Sequence, residues 1–190
     1  MTGDEILSLF RKSNALLQGH FELTSGLHSP QYLQCAKVLQ YPGNAERLCA
    51  EIVNHFRNAS IDVVVAPALG GIVVGQEVGR QLGARSIFAE RKDGRLQLRR
   101  GFEIAGGERV LVCEDVITTG GSVQEVIGIV NRCSGILAGT AAIVDRSGGR
   151  VNLDHFFATM TMEVVTYKPE ECPLCRSGIP VEKPGSRTQK

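Results

Sequence analysis

The sequence predicts an α/β fold built on an open, mostly parallel, twisted sheet flanked by helices. Three observations lead there. The unbroken apolar runs "IDVVVA" and "RVLVCE" read as strands buried on both faces, as in a parallel sheet. Each runs into a glycine-rich turn and then a stretch with helical spacing, such as Val123, Val126, Ile127 and Val130. Strand and helix patterns alternate along a chain of 190 residues with 43% hydrophobic content, enough for one α/β domain over residues 1–190.

At the amino end, Thr2-x-x-Glu5 has the form of a capping box opening a helix with Ile6, Leu9, Phe10, Leu16 and Leu17 as its apolar positions. "HFELTSGLHSPQYLQC" reads as two short strands around a Ser-Gly and Ser-Pro loop, completing a small N-terminal hood of about residues 1–40. Pro42 suits the first turn of a helix running to about Asn58. Strand "IDVVVA", the turn in "PALGGIVVG", a helix to about Leu82 and strand "SIFAE" then make a βαβ unit. The polar stretch "RKDGRLQLRRGFEIAGGE" reads as a long loop. It precedes strand "RVLVCE", a helix from about Ser122, and strands near "GILAGTAAIVD" and "HFFATMTMEVVTY". From Lys168 the chain holds four prolines and several charges, and a loosely structured extension over about 168–190 is expected.

Several function classes fall away. A net charge of +1 gives no bulk attraction to nucleic acid or to an anionic membrane. "MTGDEILSLF" carries acids where a secretory signal needs positive charge, and the apolar stretch from Val63 to Gly75 is broken by Pro67 and glycines, so a soluble cytoplasmic protein is expected. Neither G-x-x-x-x-G-K-[ST] nor a G-x-G-x-x-G after a strand is present, which argues against a P-loop nucleotidase and a dinucleotide-binding dehydrogenase. Of the six cysteines, Cys35, Cys49, Cys113 and Cys133 read as buried thiols. Only Cys172-Pro-Leu-Cys175 is a C-x-x-C. A tetrahedral zinc site needs two more ligands, and no second C-x-x-C or histidine pair follows, so this is half a site at best and no metal held by the protein itself is expected.

The chemistry concentrates in "VLVCEDVITTGGSVQEVI". From Thr118 to Ser122, small residues let successive backbone N–H groups converge, the hydroxyls add donors, and the following helix presents its positive dipole end. A monoester phosphate fits such a cup, whereas the bland reading is a strand-to-helix turn capped by Ser122. Glu114 and Asp115 tip the balance: two adjacent carboxylates closing a buried strand repel each other and lose hydration, a cost that a mere turn does not require. Acceptors beside a phosphate cup suit the hydroxyls of a ribose 5-phosphate.

Here the residues resemble the type I phosphoribosyltransferase family. The run Glu114, Asp115, Val116, Ile117, Thr118, Thr119, Gly120, Gly121 and Ser122 is similar to its phosphoribosyl pyrophosphate motif. "VVVAPALGGIVVG", with Ala68, Leu69, Gly70 and Gly71, resembles its pyrophosphate loop. "GHFELTSGLHSPQYLQC" and "VDRSGG" look like the branch that uses orotate, and the resemblance covers about residues 15 to 150. It implies that Glu114 and Asp115 hold the ribose hydroxyls and that Thr118 to Ser122 bind the 5-phosphate. Thr118, Arg146 and Tyr32 fall where the family meets orotate. Arg91, Lys92 and Arg95 would come from a mobile loop over residues 91–101 that closes on the diphosphate, with Lys92 and Asp115 as the catalytic pair. Mg²⁺ is implied as cofactor, held mainly through the diphosphate substrate and water, and a homodimer with shared sites is implied as the assembly. Some family members carry lysine where this chain has Thr24 and Gly70, and a histidine where it has Gln97. Two other readings remain at this point: a purine phosphoribosyltransferase, and a non-catalytic sensor of phosphoribosyl pyrophosphate with the same fold.

Overall fold

A computed structural model describes residues 1–23 and 25–184. Thr24 and the last part of the predicted extension lie outside the described residues. Helix α1 (Gly3–Lys12) opens with the predicted capping box: the Thr2 hydroxyl accepts from the Glu5 N–H, and the Glu5 carboxylate accepts from the Thr2 N–H at 2.7 Å. It ends at Lys12, so Leu16 and Leu17 belong to the following strand. Strands β1 (Leu16–Glu22) and β2 (His28–Leu33) form a separate antiparallel pair, and Ser29 and Pro30 lie inside β2 rather than in its loop. An outer two-stranded ribbon tolerates this proline because its missing N–H costs no central ladder bond. A short helix α2 (Cys35–Leu39), absent from the sequence reading, precedes α3 (Pro42–Phe56).

The main sheet comprises β3 (Val63–Pro67), β4 (Arg85–Lys92), β5 (Arg95–Leu98), β6 (Arg109–Ile117), β7 (Ile136–Asp145) and β8 (Phe156–Thr161), in the order β5-β4-β3-β6-β7-β8. Every neighbouring pair is parallel except β4 with β5. Crossover helices α4 (Gly70–Leu82) and α5 (Gly121–Arg132) join β3 to β4 and β6 to β7. Period-two alternation sends Val64 and Leu111 to one face, where they pack with Phe10, Leu48, Ile52 and Val78. It sends Val63, Val65 and Val112 to the other, against Val126 and Val130 of α5. All these side chains are buried. At ~1.5–3 kcal/mol for each fully buried large aliphatic, the two faces supply the main force that fixes the strand ends.

Two loops predicted from the sequence are ordered differently. The stretch 91–101 is largely a β-hairpin. β4 continues through Lys92, which pairs with Arg95 across a turn formed by Asp93 and Gly94 at φ 51° and 80°. Positive φ at both central residues is the geometry an Asp-Gly hairpin turn favours. The extension from Lys168 is docked as far as it is described. It contains a 3₁₀ turn (Pro169–Glu171) and a short α6 (Pro173–Arg176), and Cys172 is fully buried. His28 and Tyr167 exchange backbone hydrogen bonds of 2.8 Å, the Glu22 N–H donates to the Glu182 carbonyl, and the Glu182 N–H donates to the His20 carbonyl.

Candidate active site at the switch point of the sheet

From β3 the chain crosses to β4 on one side, and from β6 it crosses to β7 on the other. The order therefore reverses between β3 and β6, and a crevice opens beyond their carboxyl ends, where open α/β sheets bind ligands. Both predicted loops emerge there, one after Pro67 and one after Ile117.

The loop after β6 forms a small cleft of about 60 Å³ lined by Glu114, Val116, Ile117 and Thr118 to Val123. Its lining of loop amides and hydroxyls from Thr118 to Ser122 is of the kind that receives a phosphate group. Gly120 is the N-cap of α5 at φ 76°, and an added Cβ would meet Val151 at 3.1 Å as well as strain the backbone. No side chain caps this helix, so its first N–H groups are available to an anion beside the positive end of the dipole. Ser122 is the second helical residue, which removes the reading of it as a cap.

The loop after β3 lies directly against the acidic pair. A Cβ on Gly70 would stand 2.5 Å from the Asp115 Oδ2, and one on Gly71 would stand 3.0 Å from the Glu114 Oε1. Glycines at 70 and 71 let the two loops approach this closely, and a side chain at position 70 would displace the Asp115 carboxylate from where it stands. The Ala68 N–H donates to the Ala89 carbonyl at 2.8 Å, the Ala68–Leu69 peptide is cis, and the Leu69 side chain is 83% exposed.

Glu114 and Asp115 form the electrostatic centre. Burial, and then the neighbouring Asp115 charge, push the Glu114 carboxyl up to about 9. Burial also raises Asp115. Backbone N–H groups donate to both, from Asp115 to Glu114 Oε1 at 3.2 Å and from Val116 to Asp115 Oδ1 at 2.9 Å. Two carboxylates held together without a cation suit an incoming group that brings hydroxyl donors or positive charge, and this donor set fits a divalent ion reached through such a ligand.

Arg146 follows β7, its N–H donating to the Ile117 carbonyl at 2.8 Å. Its Nε is buried and has no hydrogen-bond partner among the described residues, and burial lowers its pKa. The neighbouring Asp145 carboxylate instead accepts from the Ser147 N–H at 2.7 Å, and no Arg146–Asp145 ion pair is present among the described residues. Tyr32 faces the same guanidinium: burial raises its phenol, and the Arg146 charge opposes the rise. Cys35 joins this group unforeseen, its thiol 3.9 Å from the Asp115 carbonyl and raised well above the ordinary range by burial. Nothing in the sequence distinguished it from the other buried thiols.

Arg91, Lys92 and Arg95 stand apart within the chain. Arg91 pairs with Glu125 of α5 at 2.8 Å, while Lys92 and Arg95 are exposed near the hairpin tip. None of the three forms a hydrogen bond or ion pair with residues 114–122 among the described residues.

The family model for the phosphoribosyl transferase domain matches residues 37–171. The orotate phosphoribosyltransferase of Chlorobaculum parvum is 58% identical over 99% of this chain and 98% of its own length. Among solved structures, orotate phosphoribosyltransferase from Aeropyrum pernix superposes with a TM-score of 0.72 at 21% identity, covering 83% of this chain and 93% of that one. Adenine phosphoribosyltransferase from Thermoanaerobacter pseudethanolicus does so at 0.60 with 14% identity, over 70% of this chain and 88% of the other, so the fold is common to enzymes of different bases. With strand order, switch-point loops and full-length sequence likeness in agreement, the chain belongs to the phosphoribosyl transferase family, on its orotate phosphoribosyltransferase branch.

Proposed function

We propose that the protein transfers ribose 5-phosphate from phosphoribosyl pyrophosphate to orotate, giving orotidine 5-monophosphate and pyrophosphate for pyrimidine nucleotide synthesis. The observation that carries the choice of base is Arg146, half-buried at the edge of the crevice, whose buried Nε has no hydrogen-bond partner among the described residues. Such a group is costly unless an anion meets it, and the orotate carboxylate offers two oxygens to its planar fork. Full-length likeness to proteins named for orotate supports the same base over a purine.

The chain's part in the reaction is positioning and electrostatics. The amides and hydroxyls of Thr118 to Ser122 take the 5-phosphate, and Glu114 and Asp115 accept hydrogen bonds from the ribose hydroxyls. Cleavage of the bond between the anomeric carbon and pyrophosphate leaves its electron pair on the diphosphate oxygen and positive charge on the ribose ring. The buried carboxylates stabilise that developing charge, while the amides near Ala68 to Gly71 face the diphosphate. The orotate ring nitrogen bonds to the anomeric carbon and loses its proton to solvent. Glu114 and Asp115 would face a Mg²⁺ ion held mainly through the diphosphate substrate and water, which would supply charge neutralisation and orientation there.

Lys92 and Arg95 are exposed on the 91–101 hairpin and make no hydrogen bond or ion pair with residues 114–122 of their own chain among the described residues, which leaves them free for delivery to the crevice of a second copy in a homodimer. The cytoplasm is the proposed compartment: all six cysteines are free thiols, and no helix of the described residues is long and apolar enough to cross a membrane. Incubation with phosphoribosyl pyrophosphate, Mg²⁺ and one base at a time tests the reading. Orotate absorbance should fall and orotidine 5-monophosphate appear, with adenine, hypoxanthine and uracil inert. Turnover of a purine in place of orotate would reject it.

A further inference from the structure

The C-x-x-C of the tail is not half a site. His20 of β1 and His28 of β2 reach it from the N-terminal β1–β2 hairpin, so that four ligand atoms, two imidazole nitrogens and two thiol sulfurs, all lie within 4.8 Å of one another. The histidines lie about 150 residues upstream of the cysteines, and no local spacing links the two pairs. The expectation that the protein itself holds no metal is therefore revised. We propose that His20, His28, Cys172 and Cys175 bind one structural Zn²⁺ that fastens the C-terminal segment to the N-terminal hairpin. This assignment is independent of the transferase reading.

Distances between ligand atoms carry the case. His20 Nε2 stands 2.9 Å from His28 Nδ1. The Cys172 Sγ is 3.5 Å and the Cys175 Sγ 3.7 Å from His20 Nε2, and the Cys175 Sγ is 3.3 Å from His28 Nδ1. Tetrahedral ligation at Zn–N of about 2.0–2.1 Å and Zn–S of about 2.3 Å separates ligands by roughly 3.3–3.8 Å. These four separations fall within about half an ångström of that range, and the remaining two stay within the 4.8 Å span of the cluster, so shifts of up to about an ångström bring all four atoms around one ion.

Tautomers agree with that geometry. His20 Nδ1 lies 2.7 Å from the Ile179 carbonyl, which can only accept, so Nδ1 carries the proton and Nε2 points its lone pair into the cluster. A carbonyl orienting the far nitrogen is the outer support that histidine ligands of zinc use. His20, His28 and Cys172 are buried, while Cys175 is exposed and leaves an entry path. Two thiolates and two neutral imidazoles around Zn²⁺ are formally neutral, which suits burial, and an S₂N₂ tetrahedral set selects zinc among the common divalent ions. The backbone frame is already set on both sides by the His28–Tyr167 and His20–Glu182 hydrogen bonds.

The test uses the full-length protein. Purified without added metal and passed over a chelating resin, it should retain about one zinc per chain by plasma mass spectrometry. The stripped protein should take up one Co²⁺, with the intense visible d–d bands of a tetrahedral site and the near-ultraviolet charge-transfer band of thiolate ligation. Cys172→Ser/Cys175→Ser should lose both signals. Strong chelation should speed proteolysis between residues 162 and 184 in the wild type alone. Should the double-serine protein fail to fold, the Co²⁺ spectrum of the stripped wild type decides. Absence of tetrahedral thiolate bands, substoichiometric zinc, iron in its place, zinc retained by the double-serine protein, or a Cys172–Cys175 disulfide in the freshly purified chain would each overturn the proposal.

Discussion

The switch-point crevice and the hairpin–tail cluster both bury ionisable groups against one another, and they differ in what those groups do to each other. In the crevice, like charges are adjacent: Glu114 and Asp115 are both pushed toward protonation by burial. In the cluster, two imidazoles and two thiols converge at hydrogen-bond range. The first is destabilised until a ligand arrives with donors or cations. The second has the composition of a site that closes permanently around an ion and then serves the fold. The glycines divide along the same line, since Gly70 and Gly120 clear space beside the carboxylates and the phosphate cup, whereas the cluster is bounded by ordinary backbone hydrogen bonds.

The comparison is sharpened most by Arg146, whose orphaned Nε is the clearest ligand-directed feature of the crevice. Arg146→Ala is expected to reduce kcat/KM for orotate by ~100-fold, about 2.7 kcal/mol, through loss of a bidentate charge-assisted pair. The KM for phosphoribosyl pyrophosphate should change much less. Steady-state kinetics varying each substrate in turn separates the two, and a loss confined to phosphoribosyl pyrophosphate would move Arg146 out of the base site.

Next in size is Asp115→Asn, expected to cost at least ~10-fold in kcat/KM, about 1.4 kcal/mol, by weakening acceptance from the ribose hydroxyls. Circular dichroism should show the fold intact, since the amide fits the same space. Near-normal kinetics would return the acidic pair to a structural role.

How much of each region was legible follows from how locally it is encoded. Glu114 to Ser122 occupy one strand, one turn and one helix start, so their joint purpose could be read from nine consecutive residues. The parallel sheet was legible for the same reason, through the apolar runs of β3 and β6. His20 and Cys172 come together only when the tail folds back on the hairpin, and no local pattern encodes that return. The 91–101 hairpin was legible and was missed. Asp93-Gly94 is a hairpin turn signal, but the surrounding charges hid an alternation in which only Leu96 is buried on β5. Leu16 and Leu17 were assigned to α1 because helical spacing continued past Lys12, whereas pairing with Leu33 and Tyr32 claims them for β1.

The hairpin yields a third test. Take Lys92→Ala and Asp115→Ala, each inactive as a homodimer. If the hairpin serves the partner's crevice, a mixed dimer contains one site with both defects and one intact site. Random reassortment makes about half the dimers mixed, so co-refolding should restore about a quarter of wild-type activity. If the hairpin serves its own crevice, every site keeps a defect. Recovery no greater than the separate homodimers, with subunit exchange verified by mass tags, rejects the shared site.

The last expected effect concerns the ligand-free crevice, and it is one of stability. An unfolded glutamate titrates near its ordinary value of 4.5, whereas in the fold burial raises Glu114 to about 9. Between those two pH values the folded chain holds a proton that the unfolded chain has released. A group of this kind contributes stability that is fully present below the unfolded value and is lost as pH rises toward the folded one. One proton sets the limit at about 1.4 kcal/mol lost per pH unit across the window. For a chain of this size, ~1 kcal/mol corresponds to roughly 2–4 °C in Tm. Glu114→Gln removes the titration and keeps the volume, so its Tm should fall less steeply than the wild type's between pH 6 and pH 8, overtaking it at the upper end. Titrations remote from the acidic pair are common to both proteins and cancel in the difference, whereas Asp115, hydrogen-bonded to Glu114, responds to the substitution and is part of the effect read. Phosphoribosyl pyrophosphate with Mg²⁺ should reverse the order, because a ligand that donates to the ionised carboxylates favours the wild type. Thermal melts at three pH values, with and without that ligand, check both signs. Parallel Tm profiles for the two proteins would show that the acidic pair is solvated in the free protein, and that it is not held under electrostatic load in the way the hairpin–tail cluster avoids.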